Sequence, residues 1–303
     1  MNNKLSGKRI ISIDAFRGIT ILVMVFVNEL AGIRNIPAWM KHMPADADAM
    51  SFVDLVFPAF LFIAGMSIPF ALGKRLMNNP DRIKLNEHIL WRVAGLLCFG
   101  FFMVNGESYG KHDMPFSIYL WSLLFYFFAF VVWQVYRLKN RKLVLILRAA
   151  GIAGLIVLAL IYRGGPDGRQ YMSPKWWGIL GLIGWAYLIS CIFYQLSAGK
   201  VVPLMLFIVF CTVLFALTRY YHWNAFHSRN ATHAAIMLSG IVASILLFDE
   251  KKIKTVRARV LQLLGFAAAL FIAGYFLRPV YAISKIYATP SWGFYSAAIC
   301  CVL

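Results

Sequence analysis

The chain has 303 residues, 61% of them hydrophobic and 14% charged, with a mean hydropathy of +0.71 and a formal net charge of +18. A soluble domain is about half apolar and a quarter charged, so a soluble enzyme, a disordered chain and a coiled coil are excluded. The five Cys all lie in apolar stretches without a CxxC pair, which excludes a disulfide-stapled secreted domain and makes them small hydrophobes in helices.

Ten apolar segments follow one another, at about 19–33, 52–72, 88–104, 115–136, 143–162, 176–196, 201–218, 231–248, 259–277 and 291–303. Most reach the roughly 18 residues needed to cross a hydrocarbon core. A helix satisfies its own backbone in lipid, and the segments do not alternate as barrel strands would. The predicted fold is all-α: a polytopic transmembrane bundle of about ten helices, forming one domain over 1–303. Lys and Arg alternate with the segments, seventeen on the side of the N-terminal tail against ten on the other. That bias predicts a cytoplasmic N-terminus and an outward-facing 34–51 loop. It also makes the net charge a topology signal, so no nucleic-acid partner is expected. The longest connections are predicted at 34–51, 73–87 and 278–290. Asp14 and Arg17 interrupt what would be a signal peptide's apolar core, so no cleaved leader is expected. The last segment, about thirteen residues, reads either as re-entrant or as part of a domain that continues past Leu303.

Ionisable residues at or inside spans are costly in lipid and are the first functional candidates. Asp14 and Arg17 are three apart and share a helix face at the mouth of the first segment. They read either as an interfacial ion pair or as a site for an anionic ligand in which Arg17 grips phosphate. Asn28 and Glu29 lie at the segment's other end. The loop then gives His42, Asp46 and Asp48, and the second segment opens with Asp54 before Leu55-Val56-Phe57-Pro58, with Pro69 further on. His42 is the strongest acid–base candidate, with Asp54, Asp46 or Asp48 to orient it; the alternative is an ordinary loop histidine. Glu87, His88 and Arg92 read as interfacial anchors, and His112 and Asp113 as residues of a short outer loop. Trp176 and Trp177 suit an aromatic belt. His222, His227 and His233 share no helical face, so no metal is expected. A Walker loop, a GxGxxG and a GxSxG are all lacking.

The stretch Ser12-Ile13-Asp14-Ala15-Phe16-Arg17-Gly18, continuing to Met24-Val25-Phe26-Val27-Asn28, has a familiar pattern. So do Lys41-His42, Val53-Asp54-Leu55-Val56-Phe57-Pro58 and Phe62-Ile63-Ala64-Gly65-Met66-Ser67-Ile68. They resemble the heparan-α-glucosaminide N-acetyltransferase family and its bacterial relatives among the transmembrane acyltransferases. The resemblance is specific over 10–72 and looser through Ser173-Pro174-Lys175-Trp176-Trp177-Gly178 and from Lys285 to Trp292. It implies an enzyme that takes acetyl from cytoplasmic acetyl-CoA, as a co-substrate, and passes it to an amino sugar or glycan across the membrane. The family's essential histidine falls on His42, its essential asparagine on Asn28, its Asp-x-Phe-Arg-Gly motif on Asp14, Phe16, Arg17 and Gly18, and its aspartate before Val-Phe-Pro on Asp54. The chain departs from the family in three ways: it has no lumenal domain before the membrane core, its loop between Asn28 and His42 is longer, and the family continues past the position of Leu303.

The residues and the resemblance lead to one expected design. A helix from 14 to 28 is about 21 Å long, comparable to an extended pantetheine arm. Arg17, with help from Lys74 or Arg75, is expected to offset CoA phosphate charge. Asn28 is expected to hydrogen-bond the thioester carbonyl, and His42, steered by Asp54 or a loop Asp, to take the acceptor's proton in direct transfer, with an acetyl-histidine intermediate on His42 as the alternative. The expected setting is the lipid bilayer of a bacterial inner membrane, with a homodimer left open. O-acetylation of a cell-surface glycan and a non-enzymatic secondary transporter are the competing functions.

Overall fold

The computed structural model describes residues 10–30, 33–78, 81–110, 114–165, 167–222, 225–249 and 255–303. Among them are ten α-helices: α1 (Ile11–Leu30), α2 (Phe52–Asn78), α3 (Arg82–Gly106), α4 (Ile118–Trp133), α5 (Arg141–Ile161), α6 (Gly178–Leu196), α7 (Val201–Tyr220), α8 (Ala225–Phe248), α9 (Val256–Leu277) and α10 (Pro290–Val302). Eight are long and apolar enough to cross a membrane; α4 and α10, at 16 and 13 residues, are shorter. The predicted all-helical architecture is what the structure has, and each predicted segment corresponds to one helix.

Several helix boundaries differ from the sequence reading, two of them for a polar reason. α1 starts at Ile11, because Asp14 and Arg17 are helical residues that pair with each other. α8 starts at Ala225, because Ser228, Asn230, Thr232 and His233 are buried in protein and need not be excluded from a helix in lipid. The expected 73–87 connection is mostly helix, since α2 runs to Asn78 and α3 begins at Arg82. α9 begins at Val256, ahead of the expected 259, and its Arg259 is buried. Lys4, Lys8, Arg9, His112, Asp113, Lys251, Lys252 and Lys254 lie outside the described residues.

The chain divides into two compact units. One spans 90–184 and is built on aromatic packing between α3, α4 and α5. Phe102 stacks on Phe125 at 4.7 Å, and Trp121 and Tyr162 are fully buried beside them. The Tyr162 hydroxyl donates to the Asn105 carbonyl at 2.6 Å, so its polar end is satisfied inside the cluster.

The other unit, 1–89 and 185–303, carries the site. Its centre is α8, packed on α2, α7, α9 and α10, with α1 laid against α2. Apolar side chains gain little from each other in lipid, so helices there associate through close backbone packing at small residues. α2 and α8 meet in this way. A Cβ at Gly65 would overlap the Met237 carbonyl oxygen, and one at Gly240 would overlap the Phe62 carbonyl oxygen. Val27, Val53 and Val56 fix the end of α1 against the start of α2.

Gly65→Ala and Gly240→Ala should each destabilise by about 1–3 kcal/mol through overpacking. Gly265→Ala, where a Cβ meets nothing within 4 Å, should not. Thermal unfolding midpoints of the detergent-solubilised chain measure the difference, and equal midpoints for all three would contradict the packing described.

Candidate active site

The first turn of α2 is built around a carboxylate. Ser51 precedes the helix and Asp54 is its third residue, the spacing of a capping box. Asp54 Oδ2 accepts from the Ser51 N–H at 3.0 Å and the Met43 N–H at 3.1 Å, and lies 3.2 Å from the Ser51 hydroxyl, whose single proton has its shorter bond to the Lys41 carbonyl at 2.7 Å. Oδ1 faces His42 Nδ1 at 2.7 Å. The side chain of Asp54 is 2% exposed, that of His42 42%. An ionised carboxylate is acceptor-only, so Nδ1 carries the proton and donates it. His42 Nε2 is then the ring's lone-pair nitrogen, on an exposed residue.

Pro58 completes the turn from the other side. It has no N–H, so the Asp54 carbonyl lacks its usual helical donor. The Trp292 indole N–H of α10 supplies one at 3.2 Å. Trp292 is fully buried, and the His233 ring meets it and Phe57 edge-on at 6.2 and 5.2 Å. His233 is thus an aromatic packing element behind the site, only 3% exposed.

The segment between α9 and α10 closes over the 41–51 loop. Asp48, at φ 43°, accepts from the Ile283 N–H at 2.8 Å and from Arg278 Nε at 3.1 and 3.2 Å. The Ile283 N–H, opposed by partial burial and assisted by the Arg278 guanidinium, holds the Asp48 carboxyl below the usual range. Ser291 Oγ donates to the Tyr281 carbonyl, and the Ser284 N–H to Thr289 Oγ1 at 3.0 Å. This turn delivers Lys285, whose Nζ lies 3.1 Å from both His42 ring nitrogens. Burial holds the Lys285 amine below the usual lysine range, and the Asp54 carboxylate works against that.

A second polar cluster lies further along α2, where α1 meets it. Arg17 donates to Asp14 Oδ1 at 3.3 Å and to Ser67 Oγ of α2 at 2.5 Å. From Asp54 to Ser67 is thirteen residues, about 20 Å of helix. Lys74 and Arg75 are exposed on the last turns of α2.

Of the residues singled out in the sequence, the structure joins His42 to Asp54 and Asp14 to Arg17. Asp48 turns to Arg278 instead of His42, and Asp46 is exposed. Asn28 is exposed on α1, and among the described residues no hydrogen bond ties it to His42 or Asp54. His222 and Glu87 are exposed; the side chain of His227 lies outside those described. Among the described residues no three His, Cys, Asp or Glu groups form a ligand set. Sequence reasoning missed Ser51, Ser67 and Lys285 as partners. Lys285 is 243 residues from His42, and its only signals were a charge on an outer loop and its place in the looser part of the resemblance.

A bundle of long apolar helices with a hydrogen-bonded His–Asp pair at the mouth of one of them is an integral, multi-pass membrane protein with a candidate acid–base centre. The chain belongs to the family described as "Domain of unknown function (DUF5009)", whose model matches residues 9–215 and so includes His42 and Asp54. It is 37% identical over 101 residues to heparan-alpha-glucosaminide N-acetyltransferase of Mus musculus and 39% identical over 98 residues to that of Homo sapiens. These matches cover 33% and 32% of this chain but only 14% of each relative.

Asp54→Asn should keep the Ser51 and Met43 N–H donors on its amide oxygen and turn its NH2 towards His42. That forces the imidazole proton from Nδ1 to Nε2, which histidine 15N shifts of the labelled chain would read; an unchanged tautomer would contradict the geometry. The Asp48 clasp has its own pH signature. A carboxyl with a lowered folded pKa contributes stability above its unfolded value, near 3.9, and loses it as pH falls through the folded value. Hydrogen exchange should therefore show the Ile283 amide protected near neutrality, with the protection lost only as the pH falls below the usual carboxylate range.

Proposed function

We propose that the chain is a membrane-embedded acyltransferase that takes acetyl from acetyl-CoA on one face of the membrane and transfers it to an amino sugar or glycan on the other. The observation that carries this is the His42–Asp54 pair, a base oriented by a buried carboxylate with Nε2 left to act. The name of the relatives, an N-acetyltransferase of a glucosaminide, supports the group transferred and the acceptor class.

In this reading the N-terminus is cytoplasmic, as the charge bias predicts, and the membrane is a bacterial inner membrane. Arg17, with Lys74 and Arg75, offsets the phosphates at the cytoplasmic end. The pantetheine arm bridges the roughly 20 Å between Ser67 and Asp54. The acceptor amine hydrogen-bonds His42 Nε2 and attacks the thioester carbon. His42 takes its proton as the C–N bond forms, and Asp54 stabilises the imidazolium. Asn28, at the same end of α1, offers its amide to the carbonyl oxygen. Collapse of the tetrahedral intermediate breaks the C–S bond, and His42 returns the proton to the thiolate. A hydroxyl acceptor is the second reading. It needs a stronger base, and the 2.7 Å His42–Asp54 bond favours it.

The test uses sealed vesicles with labelled acetyl-CoA on one face and glucosamine or N-acetylglucosamine on the other. The wild-type chain should label the amine acceptor. His42→Ala should abolish labelling while CoA still binds, and Asp54→Asn should lower it by about 10²–10⁴-fold. Wild-type turnover in His42→Ala would end the assignment, and label only on N-acetylglucosamine would move it to O-acetylation.

A further inference from the structure

We infer that Lys285 is a third catalytic group of this site: its ammonium, held over the His42 ring, meets the negative charge that develops on the carbonyl oxygen during transfer. The inference rests on the acyl-transfer reading above.

The geometry sets Lys285 apart from an ordinary hydrogen-bond partner of His42. Its Nζ is 3.1 Å from Nδ1 and 3.1 Å from Nε2. A donor in line with one ring lone pair would be near one nitrogen and far from the other. An in-plane approach equidistant from both would drive Nζ into Cε1. The ammonium therefore sits over the ring face and leaves the in-plane lone pair of Nε2 to an acceptor amine. Nδ1 is already committed to Asp54.

The reacting atoms then fall within the lysine's reach. An amine bonded to Nε2 lies about 3 Å from it, and the carbon it attacks lies about 3–3.5 Å further on. Lys285 starts 3.1 Å from the same Nε2, on a flexible stem with three donors. The backbone behind that stem is fixed. The Ala288 N–H bonds the Lys285 carbonyl at 3.0 Å, the Thr289 N–H bonds the Ser284 carbonyl at 3.0 Å, and Asp48 holds Ile283 two residues before Lys285.

The carboxylates nearby act on this ammonium without pairing with it directly, Asp54 through space. Asp54 is taken up by Ser51, Met43 and His42, and Asp48 by Arg278 and Ile283. Among the described residues no carboxylate comes within ion-pair distance of Lys285 Nζ. The other charged groups on the elements around His42 are Lys41 and Asp46 on its own loop and Glu29 and Arg34 at the end of α1, all exposed. A half-buried cation beside the base, whose counter-charge Asp54 acts on it through space across the His42 ring, still has its donors free for a developing oxyanion, which gains from a fixed positive charge. As the amine attacks, the C–N bond forms and the carbonyl π electrons move to oxygen, which accepts from the ammonium. When the C–S bond breaks the carbonyl re-forms, and Lys285 keeps its proton throughout.

Lys285→Met and Lys285→Arg test this in the full chain. Lys285→Met should lower kcat by about 10²–10³-fold while KM for either substrate changes by only a few-fold. Lys285→Arg should retain more activity and alter the pH profile. Burial lowers the Lys285 pKa, so the wild-type rate should fall on the alkaline side before free lysine deprotonates. Arginine stays charged, so that alkaline fall should move to higher pH in Lys285→Arg. A purely structural lysine would not move it. CoA binding and unfolding midpoints serve as fold controls, with the arginine variant as the one least open to misfolding. Wild-type kcat in Lys285→Met, or the same alkaline fall in wild type and Lys285→Arg, overturns the inference alone. Absence of product from the wild-type chain overturns the transfer reading and the inference with it.

Discussion

A carboxylate buried at the start of an apolar helix has to be surrounded by donors, and the candidate site follows from how Asp54 meets that demand. An unpaired buried charge costs several kcal/mol. Here the Ser51 N–H, the Met43 N–H and the His42 ring satisfy it. Each of these donors belongs to the 41–51 loop, so the charge that orders the helix start also orders the loop. His42 is consequently fixed in one tautomer by the same bonds that cap α2. The fold at this end and the chemistry of the ring are not separable: a change at Asp54 acts on both.

The membrane sets the second constraint. Lipid supplies no hydrogen bonds, so a backbone group freed inside a helix must find a partner from protein. Pro58 frees the Asp54 carbonyl, and Trp292 is that partner. This bond brings α10 to the head of α2 and, with it, the turn that carries Lys285. The same economy of polar groups explains the centre of the unit. α2 and α8 are held by backbone proximity at Gly65 and Gly240, which gives the long helix a fixed position from which both of its ends are presented.

Much of this was legible in the sequence, and the reasons are local. Apolar length located every helix, because the bilayer imposes a minimum run that few loops imitate. His42 and Asp54 are twelve apart, across one short loop and one helix turn, so pairing them needed little tertiary knowledge. Boundaries went astray where polar residues were taken as outside lipid. Asp14 and Arg17 neutralise each other inside α1, and Ser228 to His233 are buried by neighbouring helices, so neither run ends its helix. Lys285 and Ser67 were opaque for a different cause. Lys285 meets His42 across 243 residues, and Ser67 meets Arg17 across 50, contacts that no periodicity encodes. The choice of Asp54 over Asp46 and Asp48 was equally tertiary: Asp48 is drawn away by Arg278, which lies 230 residues on.

The position of the two polar clusters on α2 bears on what the bundle is suited to. Ser67 holds Arg17 and Asp54 holds His42, about thirteen residues apart on one helix at 1.5 Å each. Two separate helices could slide against each other and change that interval, whereas residues on a single helix cannot. α2 is further pinned, by α1 at Val53 and Val56 and by α8 at Gly65. A spacing this firmly held suits a long substrate gripped at one end and reacted at the other, since misplacement of the reacting atoms by about 1 Å already costs rate. A carrier that must expose one site alternately to each face has the opposite need, because its helices must rock around that site. The interval between the two clusters along α2, more than any one of its residues, is the feature that the proposed transfer between two ends would use and that a carrier would not need.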